Sequence, residues 1–280
     1  MKNIIQRTLT GIVYVVVVVA AVGVHPFIFA DAQPLVFAGV FSVVVGLLIH
    51  EFYVLTKYEN PLWLRLLGIA GGMYFFVASC LYAGNYVGNE IYIPYLLLML
   101  ILLISGLYLR DRNPITQWGL TFFAQCYCAG LLSFLCFIPY LQSPVYDSFP
   151  ILMIFIFIWL NDIGAYLIGS WKGKHRLFPR ISPLKSYEGL GGGLAVVIIA
   201  SLVFSHFYTE MAWYKWLSFA VITVISATYG DLLESLIKRT CGVKDSGKIL
   251  PGHGGMLDRF DSMILAAPVM YIFFKLTIGK

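Results

Sequence analysis

Two pairs of carboxylates at the ends of apolar segments are the residues best suited to chemistry. Asp231 and Glu234 lie in the stretch YGDLLESLIKR, and Asp258 and Asp261 lie in MLDRFDS. A spacing of three residues places both members of each pair on one helix face. Hard oxygen ligands without a Cys or His cluster favour Mg²⁺ over zinc. The alternative for Asp258 and Asp261 alone is that they complement the dipole of their helix.

Two basic, glycine-rich segments, 161–189 and 235–261, adjoin these acids. Cations, hydroxyls and exposed glycine amides together bind anions, and phosphates in particular. Transfer at a polyphosphate needs cations interleaved with metal-binding acids, which is the pattern of 235–261. The positive-inside rule alone explains basic loops, but it does not explain their glycines and serines. The stretch 169–175 is not a P-loop, because its spacing is one residue short and His175 replaces Ser or Thr.

His253, in Pro-Gly-His-Gly-Gly, has three possible roles: general base, phosphate donor or loop support. The second pKa of a phosphate is near 6, so a phosphate nucleophile needs little deprotonation at pH 7. We therefore favour a hydrogen-bonding role for His253 over base catalysis.

The elements that position these residues are predicted to be membrane helices. Of 280 residues, 60% are hydrophobic and 12% are charged, against roughly 25% charged in soluble domains. The mean hydropathy is +0.83. This composition excludes a disordered chain, a nucleic-acid-binding protein and nearly all water-soluble folds. Apolar runs of about 20 residues without strand alternation predict an all-α, polytopic helical membrane protein.

About nine transmembrane helices are expected, forming a single integral membrane domain over 1–280. Within it, 1–145 carries no recognised motif, and 146–280 carries the catalytic helices and cytoplasmic loops. The fifth span is long enough to be tilted or broken. The predicted spans are 9–30, 35–55, 62–83, 91–109, 115–141, 149–170, 190–208, 213–237 and 260–278.

The distribution of basic residues predicts the orientation. Sixteen of the 19 Lys and Arg residues fall on the side of the N-terminus, which the positive-inside rule makes cytoplasmic. The C-terminus is then on the opposite side. None of the five cysteines has a disulfide or zinc-motif context, so we expect small core residues in a reducing or lipid setting.

Two groups of residues carry a resemblance to a known family. The first reads Ser-x-x-Lys-Arg, Lys-Asp, Leu-Pro-x-His-Gly-Gly and Asp-Arg-x-Asp, and comprises Ser235, Lys238, Arg239, Lys244, Asp245, Leu250, Pro251, His253, Gly254, Gly255, Asp258, Arg259 and Asp261. The second comprises Asp162, Ala165, Tyr166, Gly173, Lys174, Ser182, Pro183, Lys185, Ser186, Glu188 and Gly189. Together they resemble the phosphatidate cytidylyltransferases, or CDP-diacylglycerol synthases.

The resemblance implies a reaction in which CTP and phosphatidate give CDP-diacylglycerol and pyrophosphate in phospholipid biosynthesis. It implies a Mg²⁺ requirement, with Asp261 supporting the other metal ligands or a second, monovalent cation. It also implies a homodimer in a membrane, which we expect to be the bacterial inner membrane. The metal ligands would be Asp231, Asp258 and Asp261. The catalytic cations would be Lys185, Lys238, Arg239 and Arg259. Substrate binding would involve Lys174, Ser182, Ser186, Ser235, Lys244 and His253.

Two other functions remain open. A CTP-dependent lipid kinase would transfer the γ-phosphoryl group instead of the nucleotidyl group. An ion-coupled transporter would also carry intramembrane acids and glycine-interrupted helices, but such transporters commonly show repeated halves, and this chain shows none.

Overall fold

The structure is a computed structural model that describes residues 2–23, 32–57, 61–109, 113–208, 211–247, 249 and 254–278. The chain forms two compact units. The first comprises Met1–Ser148 and Asp245–Arg259, and the second comprises Phe149–Lys244 and Phe260–Lys280. The segment 245–259, which carries part of the sequence motif, thus belongs with the N-terminal helices.

The described residues of the first unit form five α-helices: α1 (Lys2–Val22), α2 (Gln33–Leu55), α3 (Leu62–Ala83), α4 (Ile93–Ser105) and α5 (Pro114–Ala124). The fifth predicted span is broken, as expected from its length. After α5 the chain continues as a π turn over Gln125–Gly130 and then as two short 3-10 turns, Leu132–Cys136 and Ile138–Tyr140. Such changes in hydrogen-bond register shift which side chains face the neighbouring helices.

In the second unit, the residues that the structure describes form three α-helices, α6 (Phe149–Lys172), α7 (Tyr187–Phe207) and α8 (Trp213–Thr240), and most of a fourth, α9 (Leu257–Thr277). An antiparallel hairpin of β1 (Arg176–Phe178) and β2 (Ser182–Ser186) connects α6 to α7. The sequence patterns did not predict this hairpin.

The prediction of a polytopic helical membrane protein is confirmed. Eight helical segments in the described part of the chain are long and apolar enough to cross a membrane, and α1 adds a shorter apolar stretch, Leu9–Val22. Large apolar side chains on α4 and α7 are exposed, as expected where lipid is the solvent.

One expectation about the cysteines is wrong. Cys80, near the end of α3, and Cys136 form a disulfide in the first unit. The two residues are separated by 56 positions, and neither has a local pattern typical of disulfides. Tertiary packing of α3 against the turns after α5 brings them together.

Glycines allow the close helix packing from which the candidate site is built. A Cβ atom on Gly193 of α7 would lie 2.3 Å from Asn161 Oδ1 and 2.8 Å from the Asn161 carbonyl oxygen on α6. A Cβ atom on Gly230 of α8 would lie 2.6 Å from the carbonyl oxygen of Asp261 on α9. The backbones of these helix pairs can therefore approach beside the carboxylates only because no side chain intervenes.

Candidate active site

A cavity of about 490 Å³ opens among the helices of the second unit. Its walls come from α6, the hairpin, α7, α8 and α9. The polar residues on these walls are Asn161, Asp162, Tyr166, Ser170, Arg176, Lys185, Ser186, Thr228, Asp231 and Ser262. Five of them, Asp162, Tyr166, Lys185, Ser186 and Asp231, belong to the two residue groups or the acids that the sequence singled out.

An ion pair between the hairpin and α8 lies on the cavity wall. Lys185 Nζ contacts Asp231 Oδ2, and both side chains remain about one-third exposed. Ser235, one turn later on α8, donates its hydroxyl to Asp231 Oδ1 at 3.2 Å. Both oxygens of this carboxylate are thus oriented by named donors. An acid, an ammonium group and a buried hydroxyl from three predicted site residues meet at one place.

The start of α7 is held by side-chain caps that also shape the hairpin. Ser186 accepts a hydrogen bond from Gly189 N at 3.1 Å and so acts as the N-cap. Glu188 accepts from the backbone amides of Lys174 and His175 at 3.2 Å and lies 2.6 Å from His175 Nδ1. The Lys174 backbone is thereby fixed, while its side chain is exposed and does not line the cavity.

The two predicted cations at the end of α8 have protein partners. Lys238 Nζ contacts the Glu234 carboxylate, whose side chain is fully buried. Arg239 donates from Nε to the Ile181 carbonyl and from Nη1 to the Val243 carbonyl, both at 3.2 Å. Arg239 therefore joins the end of α8 to the turn of the hairpin. The phosphate contacts expected of Lys238 and Arg239 stay predictions.

The acids of the second unit form an electrostatic cluster. Asp261, just after the first turn of α9, interacts with the charges of Asp231, Glu234 and Asp162. Among the residues that the structure describes, no group of three His, Cys, Asp or Glu side chains is arranged to hold a metal ion by itself. Mg²⁺ is usually bound by one or two carboxylates plus substrate phosphates. Carboxylates such as Asp231 and Asp261 therefore fit Mg²⁺ that arrives with a nucleotide.

Asp258 lies in the first unit, where its carboxylate is held by the preceding loop. Its Oδ2 accepts hydrogen bonds from Gly255 N at 2.8 Å, from Ser246 N at 3.2 Å and from Ser246 Oγ at 3.0 Å. Gly254 has φ +84° and stands so close that a Cβ there would lie 2.6 Å from the same oxygen. The loop thus wraps one oxygen of the carboxylate closely.

The other predicted site residues are less engaged in the described part of the chain. Ser182 begins β2 without lining the cavity, and Lys244 is exposed. The Arg259 side chain is exposed, and its carbonyl accepts from Tyr14 Oη at 3.3 Å. His253 lies outside the described residues.

Asn161 and Arg176 are among the cavity residues that were not predicted site residues. Asn161 is buried, lines the cavity, and its Oδ1 has no hydrogen-bond donor among the described residues. Arg176 lines the cavity and donates from Nη1 to the Leu184 carbonyl at 3.2 Å. The sequence signal that could have identified Asn161 is an amide side chain next to Asp162 within an apolar span, because a buried polar group there needs a partner.

The fold and the cavity define a class of protein: a polytopic membrane protein with a charged cavity formed by helix ends and a basic hairpin. Residues 5–277 match the model of the cytidylyltransferase family, and the chain belongs to this family. It is 33% identical over 291 residues to a phosphatidate cytidylyltransferase of Haemophilus influenzae, covering 96% of this chain and 98% of that protein. The family predicted from the motifs is confirmed.

Relatives named phosphatidate cytidylyltransferase also occur in staphylococci. The proteins of Staphylococcus epidermidis and Staphylococcus aureus are each 48% identical over 124 residues. These alignments cover 44% of this chain and 47% of each relative. The chain is therefore similar to the staphylococcal proteins over about half of their length.

Proposed function

We propose that this protein is a phosphatidate cytidylyltransferase that converts CTP and phosphatidate to CDP-diacylglycerol and pyrophosphate. The observation that carries the proposal is the Lys185–Asp231 pair on the wall of a cavity at the ends of membrane helices. The relatives named for this activity support it. Such a position lets a soluble triphosphate and a lipid phosphate meet without removing acyl chains from the bilayer.

The chemistry is displacement at phosphorus. An oxygen of the lipid phosphate attacks the α-phosphorus of CTP, a new phosphorus–oxygen bond forms, and the bond to the β-phosphate oxygen breaks. Pyrophosphate leaves with the bonding electron pair. No covalent enzyme intermediate is needed, so the protein contributes positioning and charge neutralisation. Lys185 neutralises negative charge on the triphosphate, and Ser235 keeps Asp231 in its orientation.

Mg²⁺ belongs to this proposal. Asp231 and Asp261 of the second unit are the carboxylates that would hold it, and Asp258 is a further ligand by family resemblance. Bound there, Mg²⁺ would neutralise charge on the phosphates of the nucleotide. The same proposal includes a second, monovalent cation, a homodimer, the bacterial inner membrane and a cytoplasmic N-terminus. It is supported by the family resemblance and by the sixteen Lys and Arg residues on one side.

Position-specific label in CTP tests the reaction. The purified protein is incubated in detergent micelles with phosphatidate and with CTP labelled at either the α- or the γ-phosphorus. We expect α-label in the lipid product, one pyrophosphate per lipid, and loss of both on chelation of Mg²⁺. Lipid labelled only from the γ-position would instead identify a lipid kinase. Solute movement in vesicles without pyrophosphate formation would identify a transporter.

A further inference from the structure

A buried glutamate in α2 is outside the proposed chemistry. Glu51 is 2% exposed and lies four residues before the end of an apolar helix. An ionisable group within a membrane span is costly and generally has a defined partner or function. Its partners in the first unit come from the loop 245–257, about 200 positions later in the chain.

Two donors from that loop bind one oxygen of Glu51. Leu257 N, at the start of α9, donates to Glu51 Oε2 at 2.7 Å, and Ser246 Oγ lies 3.3 Å from the same oxygen. The first amides of a helix lack partners within the helix. A negative charge at that end is also favourable for the helix dipole. Glu51 therefore caps α9 from another helix.

Two glycines make room for the carboxylate. A Cβ on Gly247 would lie 2.5 Å from Glu51 Oε1, and a Cβ on Gly255 would lie 2.4 Å from Oε2. Any side chain at either position would collide with Glu51. The loop is thus built around this carboxylate at both of its ends.

The same loop atoms hold Asp258. Ser246 Oγ lies 3.0 Å from Asp258 Oδ2 and 3.3 Å from Glu51 Oε2, so one hydroxyl lies between two carboxylates. Gly255 donates its amide to Asp258 at 2.8 Å, and a Cβ on this glycine would lie 2.4 Å from Glu51 Oε2. The two residues described as donating to Asp258, Ser246 and Gly255, therefore also lie against Glu51.

We propose that Glu51 is a positioning residue that fixes the two described ends of this loop, at Ser246 and Gly247 and at Gly255 and Leu257, and thereby sets the orientation of the Asp258 carboxylate. The proposal deepens the proposed function and rests on it for the catalytic readout. Glu51 does not contact substrate. Its effect on turnover passes through Ser246, Gly255 and the start of α9.

The test compares three variants in detergent micelles. Glu51→Gln keeps the shape and removes the charge, and Glu51→Asp keeps the charge but withdraws it by one methylene. Ser42→Ala is the matched control, since Ser42 is a buried polar residue of the same helix whose hydroxyl bonds only locally, to the Gly39 carbonyl at 2.8 Å. For each variant, kcat, KM, the melting temperature and amide hydrogen exchange of 245–258 are measured.

We expect Glu51→Gln to lower kcat about ten- to 100-fold, since misplacing a catalytic group by about 1 Å costs rates of that order. The KM for CTP and for phosphatidate should change less than threefold. Exchange in 245–258 should accelerate in both Glu51 variants, with Ser42→Ala like the wild type. The double variant with Glu51→Gln and Ser246→Ala should lower kcat by less than the product of the two single-variant effects, because both substitutions act through one contact.

Three results would overturn the proposal. They are a wild-type kcat in Glu51→Gln, unchanged exchange in 245–258 in that variant, or a loss of activity that matches the loss of folded protein. An inactive wild-type protein would refute the proposed function, while the exchange measurement would still decide whether Glu51 holds the loop.

Discussion

Two lysine–carboxylate pairs of the second unit have the same chemistry and different burial, and this difference leads to opposite predictions. Lys185 and Asp231 are 27% and 32% exposed, whereas Lys238 and Glu234 are 12% and 0% exposed. Each lysine is replaced by methionine, which keeps most of the aliphatic length and removes the charge. We expect Lys185→Met to impair catalysis and Lys238→Met to impair folding.

The magnitudes follow from the surroundings of each pair. Partly exposed pairs contribute about 0.2–1 kcal/mol to stability, so Lys185→Met should leave the melting temperature within about 3 °C. Removing one partner of a buried pair costs about 3–5 kcal/mol, and Lys238→Met should therefore lower the melting temperature by about 10 °C. Losing one group that neutralises transition-state charge costs about 100- to 1,000-fold in kcat, which is the effect expected of Lys185→Met.

The assay pairs thermal unfolding in detergent with pyrophosphate release from CTP and phosphatidate. Lys172→Met is the matched control, because Lys172 ends α6, is exposed and lies over the Trp171 ring rather than in the cavity wall. A double variant, Lys238→Met with Glu234→Gln, removes the buried charge together with its partner. It should recover most of the stability that Lys238→Met loses.

The opposite pattern would refute this reasoning. If Lys185→Met unfolds the protein while Lys238→Met remains stable, burial does not decide the role of these lysines. A fully active Lys185→Met would remove the observation that carries the proposed function. Failure of the double variant to regain stability would show that the loss does not arise from the charge of Glu234.

Three further predictions concern single positions. Asp258→Asn should abolish pyrophosphate release while the melting temperature stays near that of the wild type; near-normal activity would contradict a metal role. Gly193→Ala should destabilise the protein by about 1–3 kcal/mol in thermal unfolding because its Cβ would overlap α6, whereas Gly191→Ala, with nothing within 4 Å, should not. Alkylation followed by mass spectrometry should find Cys80 and Cys136 protected until a reductant is added; labelling of both beforehand would contradict the disulfide.

Local patterns predicted the helices of this fold well, and contacts between distant segments less well. The span at 62–83 matches α3 at both ends, since apolar length is a local property that lipid selects. The same patterns missed the hairpin of β1 and β2. Strands of three and five residues have too few positions to show an alternating pattern.

The same distinction between local patterns and contacts of distant segments holds for the candidate site. Lys185 and Asp231 were chosen from motif and spacing, and the structure brings them into contact. Glu51 has no motif, and its partners follow about 200 positions later, so only the packing of the first unit relates it to Asp258. The Cys80–Cys136 disulfide was missed for the same reason.

Because the chain has few charged residues, the partner that each Lys or Arg already has determines whether it can bind a substrate phosphate. A cation that already binds a buried or backbone acceptor gains little when a phosphate arrives, because it exchanges one partner for another. Lys238 and Arg239 are in this position, held by Glu234 and by carbonyl oxygens. Lys185 pairs with a partly exposed carboxylate, where the exchange costs least. Under the proposed function, we therefore expect the charge that neutralises a triphosphate in the cavity to come from the hairpin more than from the end of α8, although α8 carries the more recognisable motif.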